Sequence, residues 1–204
     1  MKIFIIPVLL SLMVLLVWPG LIPAQTSPVF EPPVLITSAG QSADIQLASV
    51  LLKRAEIAAA LVKMAEAKDL NNQKTLVLVL GASLKGLGAA GLDTNKEKER
   101  IAALLAEAKK RGIPVLCLHL GGEARRGQLT DEMIAEYLPA ARSVIIVKSG
   151  NKDGLFTKIC AEKNIPLLEV EKTLDAVAPL RAAFTATKAP GLPDLFASRM
   201  RTAK

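Results

Sequence analysis

The side chains able to do chemistry fall just after apolar runs. Ser38, Gly40, Gln41 and Ser42 follow residues 34–36, and Ser83, Lys85, Gly86 and Gly88 follow residues 75–80. His119, Glu123, Arg125 and Arg126 close or follow residues 115–120, and Lys148 and Lys152 follow residues 143–147. Hydroxyls, glycines and cations in that combination suit a small anion. Hydroxyls donate, glycine lets backbone approach closely, and guanidinium matches carboxylate or phosphate. His119 and Glu123 are the weak candidates for acid–base work. Cys117 and Ser38 are nucleophiles by type only, because neither sits in a Gly-x-Ser-x-Gly elbow or a comparable motif. His119 and Cys117 have no clustered partners at metal-ligand spacing, so no metal is expected.

These residues need a frame that brings distant loops together. Short apolar runs without clear alternation read as strands covered on both faces. They alternate with helical segments: 42–54, then 94–111 behind the capping box Thr94-Asn-Lys-Glu97, then about 130–138 behind Thr130 or Asp131. A helix follows residues 148–154, with Leu155, Phe156, Ile159 and Cys160 on its core side and Asn151, Ser149 and Asp153 at its start. Residues 171–184 read as helical with a break near Pro179. Residues 56–64 are ambiguous, and a short strand is preferred there because it completes an α/β arrangement. The expected fold is a three-layer α/β sandwich around a mostly parallel sheet of five or six strands, flavodoxin-like or Rossmann-like.

Right-handed crossovers put every strand exit on one edge. Ten of the 13 glycines fall in those exits, which marks that edge as the special one. With strand order 2-1-3-4-5 and one further strand, the switch point lies between the first and third strands, where open α/β sheets receive ligands.

Composition bounds the partners. A net charge of +7 permits nucleic acid, an anionic surface or an acidic ligand. Only 3% aromatic residues argues against stacking bases, so no nucleic acid is expected. Residues 1–24 read as a signal peptide, with Lys2 ahead of the apolar run 3–18, Pro19-Gly20 and Ala24. An uncleaved anchor is the alternative and the one route to a membrane. Residues 25–32 form an extended lead-in, 33–184 the domain, and 185–204 a basic, flexible tail. Two cysteines make no disulfide framework, and both read as small buried hydrophobes.

The loop 37–42 resembles the phosphate loop of flavodoxins. That likeness implies an anion at the start of the first helix. The exit loops carry no aromatics to sandwich a flavin, so FMN is not expected, nor is any other cofactor. Across residues 33–184 the chain is similar to a family of small exported bacterial proteins classed as a domain of unknown function. The likeness rests on Thr37-Ser-Ala-Gly-Gln-Ser42, residues 81–91, His119-Leu-Gly-Gly-Glu-Ala-Arg-Arg-Gly127 and residues 149–158, and it implies a class without an activity. The leading expectation is an exported binding protein for a carboxylate or phosphate at the strand exits. The alternatives are a hydrolase or isomerase using His119 and Glu123, and a protein–protein interaction module.

Overall fold

A computed structural model describes residues 30–185. Six strands form one parallel sheet in the order β2-β1-β3-β4-β5-β6. They are β1 (Val34–Ala39), β2 (Ala59–Leu61), β3 (Thr75–Leu80), β4 (Val115–His119), β5 (Ser143–Val147) and β6 (Leu167–Val170). The expected order holds, and the sheet is parallel throughout. The ambiguous segment supplies β2, a three-residue edge strand that follows Val34 to Ile36 in register. The expected signal peptide, most of the expected lead-in and nearly all of the expected basic tail lie outside the described residues.

Helices cover both faces. Alternation along each strand sends Leu35, Leu76, Leu78 and Cys117 to one side and Val34, Ile36, Val77 and Leu116 to the other. The first side packs under α3 (Thr94–Arg111), α4 (Gln128–Tyr137) and α5 (Leu155–Lys163). The second packs under α1 (Asp44–Arg54) and α6 (Val177–Thr185). The central strands therefore show no polar alternation, since both faces meet apolar helices.

Local chemistry departs from expectation at several joints. The span 81–93 is not one open loop: Ser83 caps a short helix, α2 (Leu84–Ala89), that contains Gly86 and Gly88. Asp93, rather than Thr94, caps α3 by accepting from the Lys96 amide at 2.8 Å. Glu97 is thereby freed from the expected capping box and turns inward. Ala43 stands at the N-cap of α1, while Ser42 accepts from the Asp44 amide at 3.3 Å. Helix α4 starts at Gln128, so Thr130 and Asp131 lie inside its first turn and bond elsewhere. Pro179 does not break α6. It sits in the first turn, where its missing N–H has no helical partner to lose. Asn151 and Asp153 behave as expected, accepting from the amides of Phe156 and Leu155 at the start of α5.

Candidate functional site

All strand exits lie at one edge, and the sheet plane divides that edge into two halves. On the α3–α5 side, Glu97 is fully buried against Arg100. The Glu97 carboxylate accepts from Arg100 Nε at 2.9 Å, Arg100 Nη2 at 2.8 Å, the Gly40 amide at 2.8 Å and Gln41 Nε2 at 3.2 Å. Arg100 also donates to the carbonyls of Ser38 at 2.6 Å and Ala65 at 2.7 Å. A buried ion pair is tolerable when its remaining donors and acceptors are also bonded, as here. The Gly40 amide of the phosphate-like loop thus already holds an anion, and that anion belongs to the protein.

The glycines around it serve packing between loops. A Cβ on Gly86 would run into the Gln41 carbonyl oxygen. Gln41 and Ala82 form an antiparallel bridge, and the Ser83 amide donates to the Gly40 carbonyl at 2.8 Å. The Ala82 amide donates to Thr130 Oγ1 at 3.0 Å, which explains that threonine inside α4. The switch point between β1 and β3 is joined by direct contact.

His119 and Arg126 continue this closed half. His119 is fully buried, with Nδ1 3.0 Å from the Leu80 carbonyl oxygen and Nε2 3.1 Å from that of Gly122. A neutral ring donates from one nitrogen only, so one of these carbonyls receives the proton. Burial pushes the imidazole below its ordinary pKa, against the opposing pull of the two carbonyls. A Cβ at Gly150 would lie 2.7 Å from His119 Cδ2, so the β5 exit presses directly on the ring. Arg126 donates to Asp131 at 2.5 Å, to both oxygens of Asp153 at 2.9 and 2.7 Å, and to the Gly150 carbonyl at 2.5 Å. Asp153 and Asp131 raise the Arg126 pKa, and Arg126 holds the Asp153 carboxyl down at about 2. The guanidinium also lies 5.9 Å from the centre of Phe156, whose other neighbour is the His119 ring at 5.2 Å.

The α1 side is arranged differently. Arg125 leaves a turn at Gly122–Arg125 and donates from Nε to both carboxylate oxygens of Asp44, at 3.1 and 3.2 Å. Among the described residues, nothing accepts from its Nη1 or Nη2. The Arg125 side chain is 35% exposed, while that of Asp44 is 11% exposed. Arg125 reaches Asp44 by folding across Gly121, where a Cβ would collide with its stem and lie 2.6 Å from Asp44 Oδ2. A Cβ at Gly81 would lie 3.2 Å from Ser42 Oγ and 3.5 Å from Asp44 Oδ2. Ser42, Asp44, Gly81, Gly121 and Arg125 thus converge from the exits of β1, β3 and β4. Ser38 Oγ is buried and has no hydrogen-bond partner among the described residues.

The sequence-selected residues therefore separate. Gly40, Gln41 and Gly86 build the loop junction, and Ser83 caps α2 by accepting from the Gly86 amide at 3.1 Å. Lys85 and Gly88 are exposed on α2. Glu123 is exposed and pairs with Lys152, apart from the buried His119. Lys148 pairs with Glu171 at 2.9 Å. Cys117 and Cys160 are free and buried; burial raises both thiols, that of Cys160 to about 11, which makes them poor nucleophiles. Sequence reasoning missed Asp44 and Arg100, and it read Glu97, Asp131 and Asp153 only as helix-start residues, not as partners of buried or half-buried cations. Glu97 was detectable: it falls four residues before Ile101, on the same helical stripe as Leu104, Leu105 and Ala108.

Fold and edge together define a parallel three-layer α/β protein whose strand-exit loops are tied by internal ion pairs. The chain belongs to the family described as a domain of unknown function (DUF6305), whose model matches residues 31–184. No curated protein matches it. Among solved structures it is similar to a protein assigned to the G-D-S-L family of lipolytic proteins from Desulfitobacterium hafniense DCB-2. That match has a TM-score of 0.34 and 15% identity, covering 69% of this chain and 77% of the other. It is also similar to AlinE4, an SGNH-hydrolase family esterase, with a TM-score of 0.29 and 15% identity over 85% and 90% of the two chains. Likeness at this level carries nothing about function.

Proposed function

We propose that the chain is an exported binding protein for a small anionic ligand, a carboxylate or phosphate, received at the strand-exit edge by Arg125. The observation that carries this reading is the half-used guanidinium. Nε is anchored on Asp44, so the side chain is oriented, while both terminal nitrogens have no acceptor among the described residues. An anchored fork loses little further freedom when it binds an oxyanion. Ser42 Oγ accepts from the Asp44 amide and so helps to fix the acid that orients the fork. Arg126 fits the role less well, because its donors are spent on Asp131, Asp153 and Gly150. Export rests on the N-terminal pattern of charge, apolar run and small residue. The acid–base alternative is not favoured by any contact: His119 is enclosed and Glu123 is paired elsewhere.

The test is a thermal-shift panel of carboxylates and phosphates on the protein and on Arg125→Lys. Lysine keeps a charge facing Asp44 and removes the planar fork. At least one anion is expected to raise Tm in the wild type, by about 1.4 kcal/mol of stability at ten times its Kd. The shift should shrink in Arg125→Lys and persist in Lys85→Ala. A panel that moves nothing ends the proposal.

A further inference from the structure

We infer that the ligand of this edge is a carboxylate and that phosphate is discriminated against. The inference rests on the reading that the edge binds an anion at all. Phosphate sites are made from runs of backbone N–H groups that converge on the anion, with helix N-termini or small concave nests supplying the donors. At the β1 and β3 exits, where the phosphate-like loop sits, five of the amides that such a nest could use are bonded inside the protein. Gly40 donates to Glu97, Gly81 to the Ala39 carbonyl, Ala82 to Thr130, Ser83 to the Gly40 carbonyl and Gly86 to Ser83 Oγ. The Asp44 amide is turned onto Ser42 Oγ.

The Arg125 fork is an oriented side-chain donor with no acceptor among the described residues. Two N–H groups in one plane match two oxygens of a carboxylate or of a phosphate, so the surrounding charge decides between them. Asp44 lies directly against Arg125, and the buried Glu97 carboxylate holds the neighbouring β1 exit. Asp44 cancels the Arg125 charge locally. A singly charged ligand then meets a nearly neutral pair with oriented donors, whereas a doubly charged phosphate brings a second negative charge to a pair whose cation Asp44 has already matched. Lys148 and Lys152, the cations of the β5 exit, are each paired with an acid of their own.

The experiment titrates the full chain with sodium propionate and, separately, with inorganic phosphate at pH 7.5, ionic strength being held constant with sodium chloride. Binding is followed by amide NMR shifts of residues 121–126 and of Asp44. Propionate is expected to bind at least tenfold more tightly than phosphate, with its shifts centred on Arg125. Arg125→Lys should lose at least tenfold of the propionate affinity and most of the preference. Phosphate binding as tight as propionate, or tighter, overturns the carboxylate assignment while leaving the anion reading standing. Binding of neither overturns both.

Discussion

Arg125 and Arg126 are consecutive in the chain and meet opposite fates. Arg126 turns to the α3–α5 side, where two carboxylates, a carbonyl and an aromatic face take up its guanidinium. Arg125 turns to the α1 side, touches one carboxylate through one nitrogen and leaves its fork unused. The same contrast runs along the whole edge. The α3–α5 half ties up Glu97, Arg100 and Arg126 and encloses His119 between two carbonyls. The α1 half has a buried acid, an oriented cation, and a buried serine hydroxyl at Ser38 with no partner. Saturated polar networks hold loops still, and unsaturated oriented donors are what a ligand site requires.

The strongest way to break this contrast is to damage each half at its ion pair. Glu97→Ala strands Arg100, 9% exposed, without its carboxylate and removes the acceptor of the Gly40 amide. Removing one partner of a buried pair costs about 3–5 kcal/mol, and urea unfolding should show a loss of that size. Arg125→Lys keeps a cation on Asp44 and should cost under about 1 kcal/mol in the same assay, as expected of a partly exposed pair. Equal losses would erase the distinction between a saturated half and an unsaturated one.

A second pair of variants tests whether the exit glycines serve packing. In Gly86→Ala the new methyl meets the Gln41 carbonyl, a backbone atom of the facing loop. Overpacking of that kind costs about 1–3 kcal/mol. Gly88 lies two residues on in the same helix, and a Cβ there meets nothing within 4 Å. Gly88→Ala should therefore stabilise by about 0.5–1 kcal/mol through helix propensity alone. Opposite signs on neighbouring glycines would show that composition near a strand exit does not by itself mark a ligand loop.

The sequence carried the frame of this comparison better than its contents. A parallel sheet of five or six strands with all its exits on one edge follows from apolar runs and crossover handedness, which are local or topological, and the strand order assumed for it is the one observed. The paired state of the cations was not legible. Arg126 finds Asp153 27 residues away, and Arg125 finds Asp44 81 residues away. Each looks like a free cation until the sheet brings its acid to it. Glu97 was misread for the opposite reason. Its position three residues after Thr94 fits a local capping box, yet Asp93 caps the helix, and the apolar stripe of α3 carries Glu97 inward.

His119 gives a smaller, pH-dependent test of the closed half. Its folded pKa lies below the ordinary value of 6.5 because it is buried. As pH falls through the window between 6.5 and that lower value, the unfolded chain binds more protons than the folded one, so stability falls. His119→Gln removes the titrating group, and the gap in unfolding free energy between wild type and variant should narrow from pH 7.5 to pH 5. The chain has one histidine, so its NMR titration follows the same event without ambiguity. A His119 titration above 6.5 would reverse the sign. It would mean that the two facing carbonyls outweigh burial and that acid tightens the exit loops.

The smallest expected effect checks the rim. Lys148 and Glu171 form an ion pair with side chains 59% and 74% exposed. Exposed pairs lose their Coulomb gain to solvent screening and to the ordering of two long side chains. Lys148→Ala should change the unfolding free energy by less than about 0.5 kcal/mol. It should also leave the propionate titration unchanged, because its charge is already matched on the β6 side. A clear loss of ligand affinity in Lys148→Ala would mean that the rim supplies the attraction collectively. The division of the edge into a saturated half and a receptive one would then have to give way to a field set by net charge.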